Sequence, residues 1–251
     1  MPDRMPVKTP NTVFEIVETL LELDGARFTD LVDNMEMPRS TLHDHLRSLE
    51  SIGVVVKNDQ EYTVGTRFLE IGARARHQHP LFKAGHSQVE KLAIQTGEHA
   101  SLSIEERGRG ILLYVAKGEN AVNLKAYPGR RTPLHANAAG KVMLAHLPEE
   151  RVDEIIDQHG LPAYSSETIT DRDELKEELV QIQELGYATD TSELVEGVRA
   201  ISAPILQKGT VVGTISVGGP ANRMRGERFE EELPDSLLSA SNVIELGLTY
   251  S

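Results

Sequence analysis

The segment from Val13 to Val64 constrains the fold more than any other, because its apolar residues change period in a fixed order. Val13, Phe14, Ile16, Val17, Leu20 and Leu21 recur at intervals of three and four, the pattern of an amphipathic helix, and Asp24-Gly25 stops it. A short second helix carries Leu31, Val32 and Met35, with Thr29 as the expected N-cap. After a turn at Glu36 to Pro38, Leu42, Leu46, Leu49 and Ile52 make one stripe of a third helix that ends at Gly53. Val54-Val55-Val56, a polar turn over Lys57 to Gln60, and Tyr62-Thr63-Val64 then read as a hairpin. Three short helices followed by a hairpin make a winged helix-turn-helix.

In such a motif the third helix enters the major groove. Steps of 100° from Leu42 place Ser40, Asp44 and Arg47 on the solvent face, His43 on its flank, and Arg39 and Thr41 at the N-terminal end. Arg39 and Arg47 can read guanine or grip phosphate; Ser40, Thr41 and His43 can donate to phosphates or bases; Asp44 can accept from a cytosine amino group. Lys57 in the wing is a further candidate contact. A solvated face of any small helical domain would carry the same residue types, so the order of elements, not the helix alone, supports DNA as the partner.

Charge complicates this assignment. The chain carries 26 basic and 39 acidic residues, a net charge of −13. Residues 1–65 contribute six basic side chains (Arg4, Lys8, Arg27, Arg39, Arg47 and Lys57) against twelve acidic ones. Scarce lysine and abundant carboxylate resemble proteins of salt-loving organisms, and an ordinary acidic cytosolic protein is the alternative. With roughly 6 phosphate contacts, moving from ~0.15 M to ~3 M salt would cost about seven decades of affinity by counterion release. Base-edge contacts and dehydration must then carry binding. The sequence has no cysteine, which excludes disulfides, cysteine zinc sites and thiol nucleophiles. No long apolar run and no apolar signal core are visible, so a cytoplasmic protein with no membrane partner is expected.

From Thr66 the segment TRFLEIGARARHQH reads as a linker helix ending before Pro80. Beyond it the pattern predicts a helix over Phe82 to Thr96, strands at ASLSIEE, ILLYVA and AVNLKAY, and helices at Ala139–Leu147, Glu149–His159 and Arg172–Leu185. Strands VRAISAPIL and VVGTISVGG and a closing helix near Phe229–Leu248 follow. The fold class is therefore α+β, with three parts: 1–65, a winged helix-turn-helix; 66–80, a linker helix; and 81–251, an antiparallel-sheet domain suited to a small ligand.

Six collinear stretches carry a resemblance: "MPRSTLHDHLRSLESIGVV", "YTVGTRFLEIG", "HPLFKAGHSQVEKLAIQTGE", "GRRTPLHANAAGKVMLA", "ELGYATDTSELVEGVRAISAPI" and "VVGTISVGGPANR". Together they resemble the IclR family of transcriptional regulators from end to end. The resemblance implies a GAF-like effector domain at the C-terminus, dimers that often pair into tetramers on promoter DNA, and control of catabolic genes for carbon compounds. It also implies effector contacts at Ala138 and Ala139, Asp190, Ala200, Ser216 and Gly218, with Gly140 and Val198 beside them. Ala200 stands where a cysteine is usual and Gly218 where a serine is usual. The polar grip on a small oxo-acid is thereby reduced, and an organic acid or another carbon metabolite of different size is expected.

The residues themselves support part of this. Ala138, Ala139 and Gly140 open a helix without bulk, and a bare helix start can take a carboxylate. It is not a phosphate loop, because His135 stands where the first Walker A glycine must be. Lys141 is assigned to structure or an interface. The pairs His43/His45 and His77/His79 point their rings about 200° apart on a helix, which suits chelation poorly, so neither a metal nor a cofactor is expected. Glu193 and Glu196 could be imagined as acid and base but have no nucleophile beside them, and are assigned to loop and helix-cap roles. The rivals are a hydrolase or transferase, disfavoured by the missing G-x-S-x-G elbow, and a winged helix that binds protein instead of DNA.

Overall fold

The computed structural model describes residues 7–250; residues 1–6, placed above in the first domain, and Ser251 lie outside the described residues. The chain divides into two compact units, Met1–Ala75 and Arg76–Ser251.

In the first unit α1 (Thr9–Glu22) buries Ile16, Val17 and Leu20, and the chain turns back through left-handed Asp24 and Gly25. β1 (Ala26–Arg27), α2 (Phe28–Asn34) and α3 (Arg39–Ser51) follow, then β2 (Val55–Asn58) and β3 (Glu61–Val64). The three strands form an antiparallel sheet in the order β1-β3-β2. Ile16, Leu20, Leu31, Leu42, Leu46, Leu49, Val55 and Tyr62 close one core beneath it.

Three local expectations are corrected. Thr29 does not cap α2: Ala26 and Arg27 are held by pairing with Tyr62 and Glu61, so the helix begins at Phe28. The Asp30 carboxylate then accepts from the Arg27 N–H at 2.9 Å. Ile52 leaves the apolar stripe and is 50% exposed, because α3 ends at Ser51 and Gly53 (φ +72°) redirects the chain. Lys57 is a strand residue opposite Tyr62, leaving Asp59-Gln60 as the turn.

α4 (Arg67–Gln78) buries no residue, and the division between the units falls within it. In the second unit α5 (Pro80–Thr96) leads to the hairpin of β4 (His99–Glu106) and β5 (Arg109–Lys117), with β6 (Arg131–Thr132) on its edge. Helices α6 (Ala138–Ala145), α7 (Glu149–His159) and α8 (Arg172–Leu185) come next. β7 (Ala188–Thr191), β8 (Val198–Gln207) and β9 (Thr210–Pro220) complete an antiparallel sheet in the order β6-β5-β4-β9-β8-β7. A single π-helical turn, Arg228–Glu232, precedes α9 (Leu233–Thr249).

Strand alternation explains the two faces of this sheet. Ala100, Leu102, Ile201, Ala203, Ile205, Ile215 and Val217 point to α5 and α9 and form one core. Ser101, Ser103, Ala200, Ser202 and Ser216 point the other way, towards the side where α6, α7 and α8 pack with Ala188 into a second core. The predicted strand AVNLKAY is not one: 121–127 is irregular, and Lys125 at φ +51° breaks the extended backbone.

Candidate DNA-binding and effector sites

The residues expected to contact DNA lie on the exposed side of α3. Leu42, Leu46 and Leu49 are at most 3% exposed, while Arg39, Ser40, Thr41, His43, Asp44 and Arg47 all lie on exposed surface. Pro38 precedes α3 in an extended conformation and offers no side-chain cap, and no acidic residue occupies the first turn. The leading N–H groups of α3 are therefore left for an outside acceptor such as a phosphate. His43 meets the Phe28 ring edge-on at 6.2 Å, with the Asp44 carboxylate 3.8 Å from its Nδ1. In the wing, Lys57 Nζ stands 4.9 Å above the Tyr62 ring, which holds an otherwise flexible cation in place.

In the second unit a cavity of about 150 Å³ lies on the serine-bearing face of the sheet. Of the residues singled out, Ala138 and Ala139 from α6, Asp190 from β7, Val198 and Ala200 from β8, and Ser216 from β9 line it. Gly140 and Gly218 do not line it. A Cβ on Gly140 would lie 2.1 Å from the Leu134 carbonyl oxygen, so this glycine lets α6 start against the preceding backbone. Gly218 faces Ala200 across the ladder, where a Cβ would sit 3.3 Å from the alanine's. The cavity also takes Ser101, Ser103, Leu112, Leu124, Thr132 and Arg130, which sequence reasoning missed. Ser101, Ser103 and Leu112 had a signal in the alternation of β4 and β5; Thr132 lies on the two-residue β6, and Leu124 and Arg130 lie in irregular chain, so these three carried none.

Polar groups around the cavity are tied down. Asn137 caps α6, its Oδ1 accepting from the Gly140 N–H at 2.9 Å, and the Ser216 and Ser202 hydroxyls are 2.8 Å apart. Asp190 Oδ1 accepts from the Glu193 N–H at 2.7 Å. Behind it lies an ion cluster: Lys141, 2% exposed, donates to Glu193 at 2.7 Å and to Glu178 at 3.0 Å. Glu193 is thus a buried counter-ion and not a helix cap; the other Glu193 oxygen, Oε2, has no partner. Burial pushes its carboxyl upward, against the pull of Lys141.

Burial likewise raises the Asp190 carboxyl from 3.8 to about 7, outweighing the Glu193 N–H. The native unit then holds a proton that the unfolded chain has released, so its stability falls as pH rises from 3.8 towards about 7. A displacement of this size corresponds to about 4 kcal/mol at most. Denaturant melts of the wild type and Asp190→Asn at pH 5 and pH 8 should therefore diverge, the asparagine variant losing less on the alkaline side. Parallel behaviour would show that Asp190 is ionised throughout.

Among the described residues no helix is long and apolar enough to cross a membrane. Residues 12–59 match the IclR helix-turn-helix domain, and residues 73–246 match the family described as "Bacterial transcriptional regulator IclR C-terminal". The chain is similar to the probable HTH-type transcriptional regulator ArcR of Halobacterium salinarum, with 34% identity over 93% of this chain and 91% of that protein. It is also similar to the crystal structure of the Thermotoga maritima IclR, with TM-score 0.81, 26% identity and coverage of 97% and 99% of the two chains. An IclR homologue from Microbacterium hydrocarbonoxydans, crystallised with 4-hydroxybenzoate, superposes with TM-score 0.79 at 23% identity, over 95% of this chain and 100% of its own.

Proposed function

The chain belongs to the IclR family of transcriptional regulators, and from that premise we propose that it controls catabolic genes by releasing or gripping promoter DNA in response to a small organic acid. It is a DNA-binding regulator with a C-terminal ligand-binding domain. The observation that carries the finer reading is the pairing of an exposed, uncapped α3 with a cavity lined by Ala138, Ala139, Asp190 and Ser216. The solved relative that holds 4-hydroxybenzoate supports an organic acid as the ligand class.

On this reading Arg39, Ser40, Thr41, His43, Asp44 and Arg47 meet the major groove and Lys57 meets phosphate beside it. The effector acts only through its different affinity for the two arrangements of paired winged helices. Assembly into dimers or tetramers is supported by Phe14 and Leu21 on α1 and Leu69 and Ile71 on α4, apolar side chains each more than half exposed. Labelled promoter fragments from the chain's own locus test the reading. A sequence-selective shift that a short organic acid alters is expected. No selective shift at any salt, with wild type and Arg47→Ala alike, would sink it and favour a winged helix that binds protein.

A further inference from the structure

Among the described residues five of the eleven arginines of the second unit pair with carboxylates: Arg131, Arg151, Arg172, Arg223 and Arg228. Arg223 grips buried Glu98 with two hydrogen bonds of 2.6 and 2.7 Å, and Arg151 and Arg172 each reach two carboxylates. Arg109 and Arg130 are among those that form no ion pair with a carboxylate among the described residues, and both line one hollow. Arg131 has only Glu106 at 3.8 Å, with both side chains more than half exposed. These three arginines border a single open hollow of about 480 Å³, together with Pro133 and Tyr164. Three cations lining one hollow, two of them without a carboxylate partner and the third with one loose exposed pair, repel one another, and an anion between them would relieve that repulsion.

The hollow is continuous in lining with the effector cavity, for Arg130, Thr132 and Leu194 border both. Arg130 donates from Nη1 to the carbonyls of Leu124 and Lys125, both at 3.2 Å, which orients the guanidinium and leaves its other donors to a ligand. A planar fork of this kind matches a carboxylate or a phosphate. Nearby, buried His135 is held below its ordinary value by burial and by the positive charge of Arg109, a second sign of a positive field. The inner cavity offers Leu112, Leu124 and Val198 and is of the size that accepts a benzene-like body.

We propose that the effector is a small organic dianion, a phosphate monoester or a dicarboxylate, with its head among Arg109, Arg130 and Arg131 and a compact apolar body in the inner cavity. This deepens the effector reading above and rests on it. The test is calorimetric titration of the full chain at one fixed KCl concentration with phenyl phosphate, phenylmalonate, benzoate and phenol. One or both dianions should bind about tenfold or more tightly than benzoate, and which of them does so tells the phosphate head from the dicarboxylate. Arg109→Gln and Arg130→Gln, checked for unchanged melting, should each remove about tenfold from the dianion and leave phenol within about twofold. Dianions binding no tighter than benzoate, or unmoved by both substitutions, overturn the proposal. If benzoate still binds the wild type and is lost in Ala139→Trp, the effector cavity survives that failure; no binding by any probe overturns both.

Discussion

Replacing Lys141 with methionine is expected to cost the second unit about 3–5 kcal/mol, because it strands a buried carboxylate. The ammonium is 2% exposed and is the cation that Glu193, itself almost fully buried, contacts at 2.7 Å. A methionine of similar length keeps the packing around Val142 and Met143 but removes the charge. For a unit of this size the melting temperature should fall by roughly 6–20 °C. Glu193→Gln is expected to cost less, since Lys141 keeps Glu178 at 3.0 Å. Combining Lys141→Met with Glu193→Leu should recover part of the loss, because a paired replacement leaves no charge stranded. Thermal melts of the three variants check the order, and equal stability of Lys141→Met and wild type would contradict it. The cluster also adjoins the inner cavity, for the Glu193 N–H donates to Asp190 Oδ1 and Asp190 lines the cavity wall.

The second large effect concerns Arg47. Arg47→Ala should weaken operator binding by about 1–3 kcal/mol, or roughly 5- to 150-fold, if the guanidinium reads a guanine edge. Lys57→Ala should instead weaken all sequences alike. Asp44→Ala should leave overall affinity near wild type while relaxing selection at one cytosine. Titrations over a range of KCl concentrations distinguish base reading from phosphate attraction. With residues 1–65 carrying twelve acidic and six basic side chains, log affinity against log salt should run flat or slightly upward. A steep downward slope would mean that phosphate contacts dominate and would remove the argument for adaptation to high salt.

The first unit was largely legible, and its errors are instructive. Helical period and the Asp24-Gly25 and Gly53 stops are properties of neighbouring residues, so α1 and α3 could be placed. Thr29 was misread as a cap because the pairing of Ala26 with Tyr62, 36 positions away, decides where α2 begins. Ile52 kept the stripe's spacing but fell beyond the helix end. In the second unit AVNLKAY has the composition of a strand, yet Lys125 adopts a left-handed conformation there and Leu124 turns to the cavity.

Sequence alone determined the placement of α1 and α3, the exposed side of α3 and the exclusion of thiol chemistry, because each depends on residue type and short-range spacing. The tertiary structure decided what lines the inner cavity. It brought Ser101, Ala139, Asp190 and Ser216 from four separate elements, and Arg130 from irregular chain, to one cavity, and withdrew Gly140 and Gly218 into packing. It also paired Lys141 with Glu193, 52 residues apart, and left Arg109 and Arg130 without a carboxylate partner among the described residues. A net charge of −13 says nothing about which charges are compensated. Coulomb energy falls with distance and is weakened by water, so only the folded arrangement sets which cations remain for a ligand.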